Sequence, residues 1–404
     1  MKEWKTYKLY EVANLTTGFP FAGEKYAKEG TRVVRGDNVT IGALRWDSDK
    51  LKCWNEPFDR FNEYSLKEGD IVIGMDGSRV GQNRAQVKNE DLPLLLAQRV
   101  ACIRNNEKSI QDFLYYLIFN NRFVDYVKQV QTGTSIPHIS LKQIGNYEVH
   151  LPCIETQTKI SQILRSLDNK IEINKRINDN LEQQAQALYK SWFVDFEPFK
   201  DGNFVKSEIG LIPEGWEVRD IYKYTDVIYG APYKSSLFND NKEGYPLIRI
   251  RDLKSFAPQF YTQEILPQTE YIIAGDVVAG MDAEFTPYIW QGEKGVLNQR
   301  CCKFKGQYPW VSNYYLLNLL KPELEYVQSY KTGTTVSHLG KADIDRFKVI
   351  TPPESIVKTF SVIVNSLLEQ KIKSAYEIRN LTSTRDSLLP KLMSGELKIN
   401  EIDF

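Results

Sequence analysis

The side chains in this sequence with the most to offer chemically are arginines and amides set in short Gly-bearing loops. GSRVGQNR (Gly77–Arg84) brings Arg79, Asn83 and Arg84 close together, and Arg35, Asn38, Arg249 and Arg251 follow short apolar runs. Arginine pairs bidentately with guanine edges, and Asn or Gln with adenine edges, in a major groove. Lys, Ser, Thr and main-chain N–H groups more often hold phosphates. A solvated hairpin tip has the same composition, so this reading needs support from elsewhere. Bond-making chemistry finds little here. The sequence has no GxxxxGK[ST] nucleotide loop, no HExxH, no GxGxxG and no GxSxG. Pro352-Pro353-Glu354 lacks both flanks of the Asn/Asp-Pro-Pro-aromatic signature of adenine methyltransferases. His138, His150 and His338 are the only side chains that titrate near neutrality without help. No catalytic residue, metal site or cofactor is therefore expected.

The elements that position these loops occur twice. Trp4 matches Trp216, and GFPF (Gly18–Phe21) matches GAPY (Gly230–Tyr233). VVRGDN (Val33–Asn38) resembles LIRIRD (Leu247–Asp252), and GDIVIGMD (Gly69–Asp76) matches GDVVAGMD (Gly275–Asp282). Gln98-Arg99 matches Gln299-Arg300, and TGTSIPH (Thr132–His138) matches TGTTVSH (Thr332–His338). The order is kept while the offset drifts from about 214 to about 200 residues, which marks a duplication with loops of unequal length. The stretch corresponding to Gly77–Arg84 is AEFTPYIWQGEKG (Ala283–Gly295), longer and richer in aromatics. Tyr288, Gln291 and Lys294 are its candidate contacts, and Trp290 reads as packing. The TGT loops offer Thr134, Ser135 and His138 in one copy and Thr334, Thr335 and His338 in the other. Both copies keep this loop while others diverge, which favours a framework or phosphate role over base reading. Arg99 and Arg300, in QRVACI and QRCCKF, read as structural, in buried ion pairs. GFPF and GAPY read as turns carrying core aromatics.

Between the copies runs a stretch from Ile154 to Phe196 without Pro or Gly. Ile160, Leu164, Leu167, Ile171, Asn174, Asn178, Leu181, Ala185, Leu188 and Trp192 alternate at spacings of four and three, the seam of a long helix that packs on another. About 40 residues at roughly 1.5 Å each give a rod of roughly 60 Å. The seam reappears as Phe360, Val364, Leu367, Lys371, Ser374, Ile378, Leu381, Arg385, Leu388 and Leu392. At Lys371 the expectation is an apolar stem with its charge in water. The second repeat starts where the first helix ends and ends where the second begins. Domain termini lie close together as a rule, so the helices are expected to be antiparallel, with a pseudo-twofold axis and a domain at each end. Short β-rich runs at Thr31–Val34, Asp70–Gly74 and Arg99–Arg104, a helix at Phe113–Val130 and a strand at Tyr147–Leu151 fill in the first domain. The expected fold is α+β: two similar α/β domains, 1–152 and 200–352, joined by helices at 153–199 and 353–404 that form a coiled-coil spacer.

These features together resemble the specificity subunit of Type I restriction-modification systems. The resemblance rests on ALYKSWFVDFEP (Ala187–Pro198), IGLIPEGWEV (Ile209–Val218), GDIVIG and GDVVAG, the paired TGT loops, and RDSLLPKLMSGELKI (Arg385–Ile399). It covers nearly the whole chain. One departure is PPESIVKTF, which lacks the glutamine that usually follows the acidic residue there; an effect on local capping alone is expected. The resemblance implies two target-recognition domains, each reading one half of a split target in double-stranded DNA. It implies a helical spacer and assembly with modification (methyltransferase) subunits, two of them, and two restriction subunits for cleavage. Nucleotide, methyl donor and metal would belong to those subunits. Leu164, Leu167, Ile171, Leu181, Leu188, Trp192, Val364, Leu367, Ile378, Leu381 and Leu388 are the residues expected at the helix and partner interface.

Composition sets the outer bounds. The 404 residues balance 52 basic against 52 acidic side chains, so no overall field announces a nucleic acid or a membrane. Cys53, Cys102, Cys153, Cys301 and Cys302 show no CxxC spacing, which reads as a reduced, cytoplasmic protein. No apolar run approaches the roughly 18 residues of a membrane span, and the N-terminus does not read as a signal peptide. Two other readings stay open at this point: a two-headed coiled-coil scaffold that binds proteins rather than DNA, and an enzyme with unrecognised motifs.

Overall fold

The computed structural model describes residues 4–133, 135–331 and 337–397. The chain divides into two compact units, Met1–Asn169 with Thr382–Phe404, and Lys170–Leu381. Both dividing lines fall inside the long helices.

The first unit is built on a four-stranded antiparallel sheet in the order Ala13–Thr17, Val100–Asn105, Ile71–Gly74, Arg84–Gln86. Its central strands are continuously apolar over Ile71–Gly74 and Val100–Ile103, rather than alternately, because both faces are covered there. Ile71, Ile73, Ala101 and Ile103 face a core with Phe113, Phe123 and Leu9. Val72, Val100 and Cys102 face a second core with Val34, Ala85 and Leu94. That second core is closed by a small sheet in which Thr31–Val34 lies between Cys53–Trp54 and Leu94–Leu96, the latter in parallel. Lys5–Lys8 pairs with Glu148–Leu151. The helix expected over Phe113–Val130 is two, Gln111–Ile118 and Asn121–Val130. Asn120 causes the break: its side chain accepts from Arg122 N at 3.0 Å and caps the second helix.

The second unit repeats the plan. Thr225–Tyr229, Cys301–Gly306, Val277–Gly280 and Pro287–Ile289 form the equivalent sheet in the equivalent order. Val277, Ala279, Cys302 and Phe304 face one core, and Val278 and Cys301 the other. Tyr245–Ile248 pairs in parallel with Gly295–Leu297, and Glu217–Asp220 pairs with Lys348–Thr351. A single helix, Asn313–Lys331, replaces the two of the first unit. The repeated glycines Gly18 and Gly230 mark a close approach: a Cβ would lie 1.9 Å from Leu96 O in one copy and 2.1 Å from Asn298 O in the other. Phe19 and Phe21 pack in an aromatic cluster with Trp54 and Phe61, as a turn with core aromatics requires.

The long helices run Ile154–Phe193 and Glu354–Ser394. Within the second unit, Ser374 Oγ donates to Asn174 O at 3.2 Å, Lys371 Nζ pairs with Glu182, and Phe360 packs on Tyr189, Trp192 and Phe193. Numbers rise along one helix as they fall along the other, so the pair is antiparallel. Within the first unit, Arg385 Nη1 meets Asp168 Oδ1 at 2.9 Å, and Leu392 enters the core beside Ile160 and Leu164. The predicted seam is buried or half-buried throughout: Leu164, Ile171, Leu181 and Val364 are buried, while Leu167, Leu188, Trp192, Leu367, Ile378, Leu381 and Leu388 are half-buried. Lys371 departs from expectation. Its side chain is 4% exposed, and its charge is met by Glu182 and the face of Tyr314 rather than by water.

The departure in PPESIVKTF has a local remedy. In the first unit Gln157 accepts from Ile110 N at 3.0 Å, at the start of helix Gln111–Ile118. Val357 stands in its place and is fully buried. Ser361 Oγ takes over by accepting from Ser312 N at 3.1 Å, at the start of helix Asn313–Lys331.

Candidate nucleic-acid interface

In the first unit the GDIVIGMD strand runs out at Met75 and Asp76 between two main-chain neighbours. Met75 N donates to Arg99 O, and Ile139 N donates to Met75 O. This brings Asp76 between Arg99 and His138. Asp76 Oδ1 lies 2.6 Å from His138 Nδ1, and Oδ2 lies 3.7 Å from Arg99 Nε. The second unit repeats the arrangement: Met281 N to Arg300 O, Leu339 N to Met281 O, Asp282 Oδ1 to His338 Nδ1 at 2.7 Å, and Asp282 Oδ2 to Arg300 Nη1 at 3.0 Å. Arg99 and Arg300 were expected in buried ion pairs. The pairs exist, but the arginine side chains are 63% and 58% exposed, because each lies in the turn that leads into its strand. The part of Asp76 and Asp282 is not apparent from loop composition. Their retention at the end of both GDxxxGMD motifs was the signal available.

The turn after the apolar strand is the second repeated device. In RGDN the side chain of Asn38 accepts from Arg35 N at 3.1 Å, and in RIRD that of Asp252 accepts from Arg249 N at 3.0 Å. Asn38 is fully buried and also donates to Arg45 O and Lys50 O, so it shapes the turn instead of presenting an amide at the surface. Arg249 is likewise held inward, paired with Asp252 and lying over Phe260. Arg35 is half-buried against Tyr26 and donates to Lys50 O. Arg251 is exposed, and its guanidinium makes no ion pair or hydrogen bond among the described residues.

The Gly77–Arg84 loop splits its candidates. Arg79 is exposed with no side-chain partner among the described residues, and Asn83 is half-buried at its side. Arg84 is 8% exposed; it opens the last strand of the sheet, donates to Gly81 O at 2.9 Å and lies over Phe119 and Phe123. Burial lowers its pKa, although it stays charged at neutral pH. Its placement is therefore that of a framework residue, which loop composition alone did not distinguish from Arg79. Arg35, Arg45, Asp37, Asp76, Arg79, Asn83 and Arg99 line one cleft of about 550 Å³. Four arginines against two aspartates leave that cleft net positive. Ser135 is exposed beside it, and Gly133 holds φ +91°, where a Cβ would lie 2.4 Å from Ile136 O. Thr134, Thr334 and Thr335 lie outside the described residues.

In the second unit the divergent stretch gives a different surface. Trp290 is fully buried, as read, with its indole N–H donating to Glu293 O. Tyr288 is half-buried and donates to Glu284 Oε1 at 2.8 Å; burial and that carboxylate push its phenol up to about 12. Lys294 is exposed and lies over Tyr271. Gln291 is tied down: its carbonyl accepts from Arg379, and its side chain meets Asn178 Nδ2 at 3.5 Å. Tyr288 and Gln291 border a hollow of about 720 Å³ together with Lys254, Asn178 and Arg379. Among the described residues no group of His, Cys, Asp and Glu is arranged to hold a metal ion, and no helix is long and apolar enough to cross a membrane.

Comparison with known proteins joins these observations. The family model described as Type I restriction modification DNA specificity domain matches residues 1–183 and 213–376. The specificity subunit of the Type I restriction enzyme MjaIX of Methanocaldococcus jannaschii is 28% identical over 371 residues, covering 84% of this chain and 82% of that one. The HindI specificity subunit of Haemophilus influenzae is 24% identical over 480 residues, covering 98% and 100%. The crystal structure of a Type I restriction-modification S subunit from M. genitalium shares the fold, with a TM-score of 0.58 over 96% of each chain at 14% identity.

Proposed function

The chain belongs to the Type I restriction modification DNA specificity family, and from that premise we propose that its two units read different halves of a bipartite target in double-stranded DNA. The protein is a specificity subunit and itself non-catalytic; bond-making falls to companion subunits, as in the enzymes to which its relatives belong. In the first unit the proposed readers are Arg79 and Asn83, with Arg35 at the cleft wall. In the second they are Arg251, Tyr288 and Lys294. The observation that carries this division is the contrast within each unit: an identical Asp–Arg–His framework beside a loop that differs in length and chemistry. A shared scaffold with unlike loops is what two unlike recognition surfaces require. Arg84, Asn38, Arg249 and Gln291 support those surfaces from within.

Double-stranded DNA and modification and restriction subunits are the proposed partners, two of each subunit in the full complex. The long helices are the proposed spacer and docking element, with 1–152 and 200–352 as the recognition domains. Membership of a DNA-specificity family leaves the protein-binding scaffold without support. Methylation-site sequencing of the host genome with and without this gene tests the proposal. A split motif that loses its methylation when the gene is removed is expected, and an unchanged methylation pattern contradicts it.

A further inference from the structure

We propose that Arg99 and Arg300 each hold one DNA backbone phosphate, and that Asp76–His138 and Asp282–His338 are the struts that aim them. The inference rests on the DNA reading above. Its first support is duplication at atomic detail. The same carboxylate sits between the same histidine nitrogen and the same arginine in both units, on the same main-chain hydrogen bonds. The loops beside the two sites differ in length and composition. A contact common to both surfaces carries no sequence information, and the DNA feature common to every sequence is the phosphate backbone.

The second support is how the donors are spent. A guanidinium carries five N–H donors in a planar fork. In the first unit Asp76 lies 3.7 Å from Nε, beyond a direct hydrogen bond, and both terminal amino groups of Arg99 are unengaged among the described residues. In the second, Asp282 engages Nη1 of Arg300 alone. The carboxylate's other oxygen is taken by the histidine, His138 in one unit and His338 in the other. The nitrogens left over, both terminal amino groups of Arg99 and Nε and Nη2 of Arg300, have no partner among the described residues and can donate to a phosphate. A purely structural arginine spends its donors inward, as Arg84 does on Gly81 O.

The third support is local charge. Arg35, Arg45 and Arg79 share the cleft with Arg99, against Asp37 and Asp76. Where the first unit has Asp37 in RGDN, the second has Arg251 in RIRD. The excess is positive on a chain whose formal net charge is zero.

The test uses the full-length chain with its modification subunits, and duplexes carrying either the target or a scrambled sequence, titrated over a range of salt. Arg99→Gln and Arg300→Gln are each expected to weaken binding of both duplexes by the same factor, about three- to tenfold at low salt. Each should make the negative slope of log K against log salt shallower by about 0.9, with the double variant near twice that. Arg99→Lys is expected to keep the slope, as a point charge still releases a counterion. The methylated motif stays the same. Both arginines are exposed, so thermal midpoints should not move. A loss confined to the target duplex would make these residues base readers and overturn the proposal. An unchanged slope would make them framework and overturn it equally. A wild-type complex that does not distinguish target from scrambled DNA would instead refute the preceding reading.

Discussion

Glu182→Gln should damage the second unit more than Lys371→Met, although both remove the same ion pair. Lys371 is 4% exposed and Glu182 38%. The Glu182→Gln change leaves an ammonium inside the helix seam with no counter-charge. Removing one partner of a wholly buried pair costs about 3–5 kcal/mol. Water already reaches Glu182, which weakens the attraction that is lost, so about 2 kcal/mol is the appropriate figure. At about 2–4 °C per kcal/mol for a unit of this size, the thermal midpoint falls by about 4–8 °C. The Lys371→Met change keeps an apolar stem and removes the buried charge, while Glu182 turns to solvent. That change stays within about 1 kcal/mol, and the double variant recovers most of the loss. Scanning calorimetry of the full chain reads the midpoints, and amide hydrogen exchange over residues 174–185 assigns them to the helix pair. A Lys371→Met variant as damaged as Glu182→Gln, or more so, would refute this account of the seam.

Arg79→Ala should weaken target binding by about 1–3 kcal/mol and relax specificity at one base position, whereas Arg84→Ala should cost about 2 kcal/mol of stability through its lost ring and carbonyl contacts; equal effects of the two on both readouts would contradict their assignment. At pH 8 a thiol reagent should modify Cys153 at most in the native protein, since Cys53, Cys102, Cys301 and Cys302 are buried and burial pushes the Cys102 and Cys302 thiols up to about 12; rapid titration of all five would contradict the two-faced sheet cores. Lengthening both long helices by whole turns should change the number of unread base pairs between the half-targets and leave the bases read unchanged; an unaltered gap removes the spacer role.

Much of the architecture was legible in the sequence because it repeats. Motifs kept in order, and a seam at spacings of three and four, give the duplicated α+β plan and the helix pair without long-range information. Periodicity could not tell that Phe113–Val130 breaks, because Asn120 ends one helix and caps the next without disturbing the apolar face. The fate of individual polar side chains was harder to foresee. Arg79 and Arg84 sit in one loop of one composition, yet strand pairing turns Arg84 onto two phenylalanines and leaves Arg79 outside. Asn38 and Gln291 look like readers in the sequence, but Asn38 is spent inside its own loop on Arg45 O and Lys50 O, and Gln291 is fastened by Arg379 and Asn178, far away in the chain. Lys371 in an apolar seam suggested a stem reaching for water, because its partner lies 189 residues away. Asp76 and Asp282 do not stand out in the sequence, since an aspartate after an apolar strand is an ordinary turn residue; their histidine partners arrive from a different loop.

The central claim is that one chain carries two unlike readers. It is tested most directly by replacing residues 1–152 with the corresponding part of a relative and sequencing the methylated sites in cells that carry the modification subunits. One half of the split motif should change, while the other half and the gap between them stay as they were. A motif altered in both halves, or in neither, would contradict it.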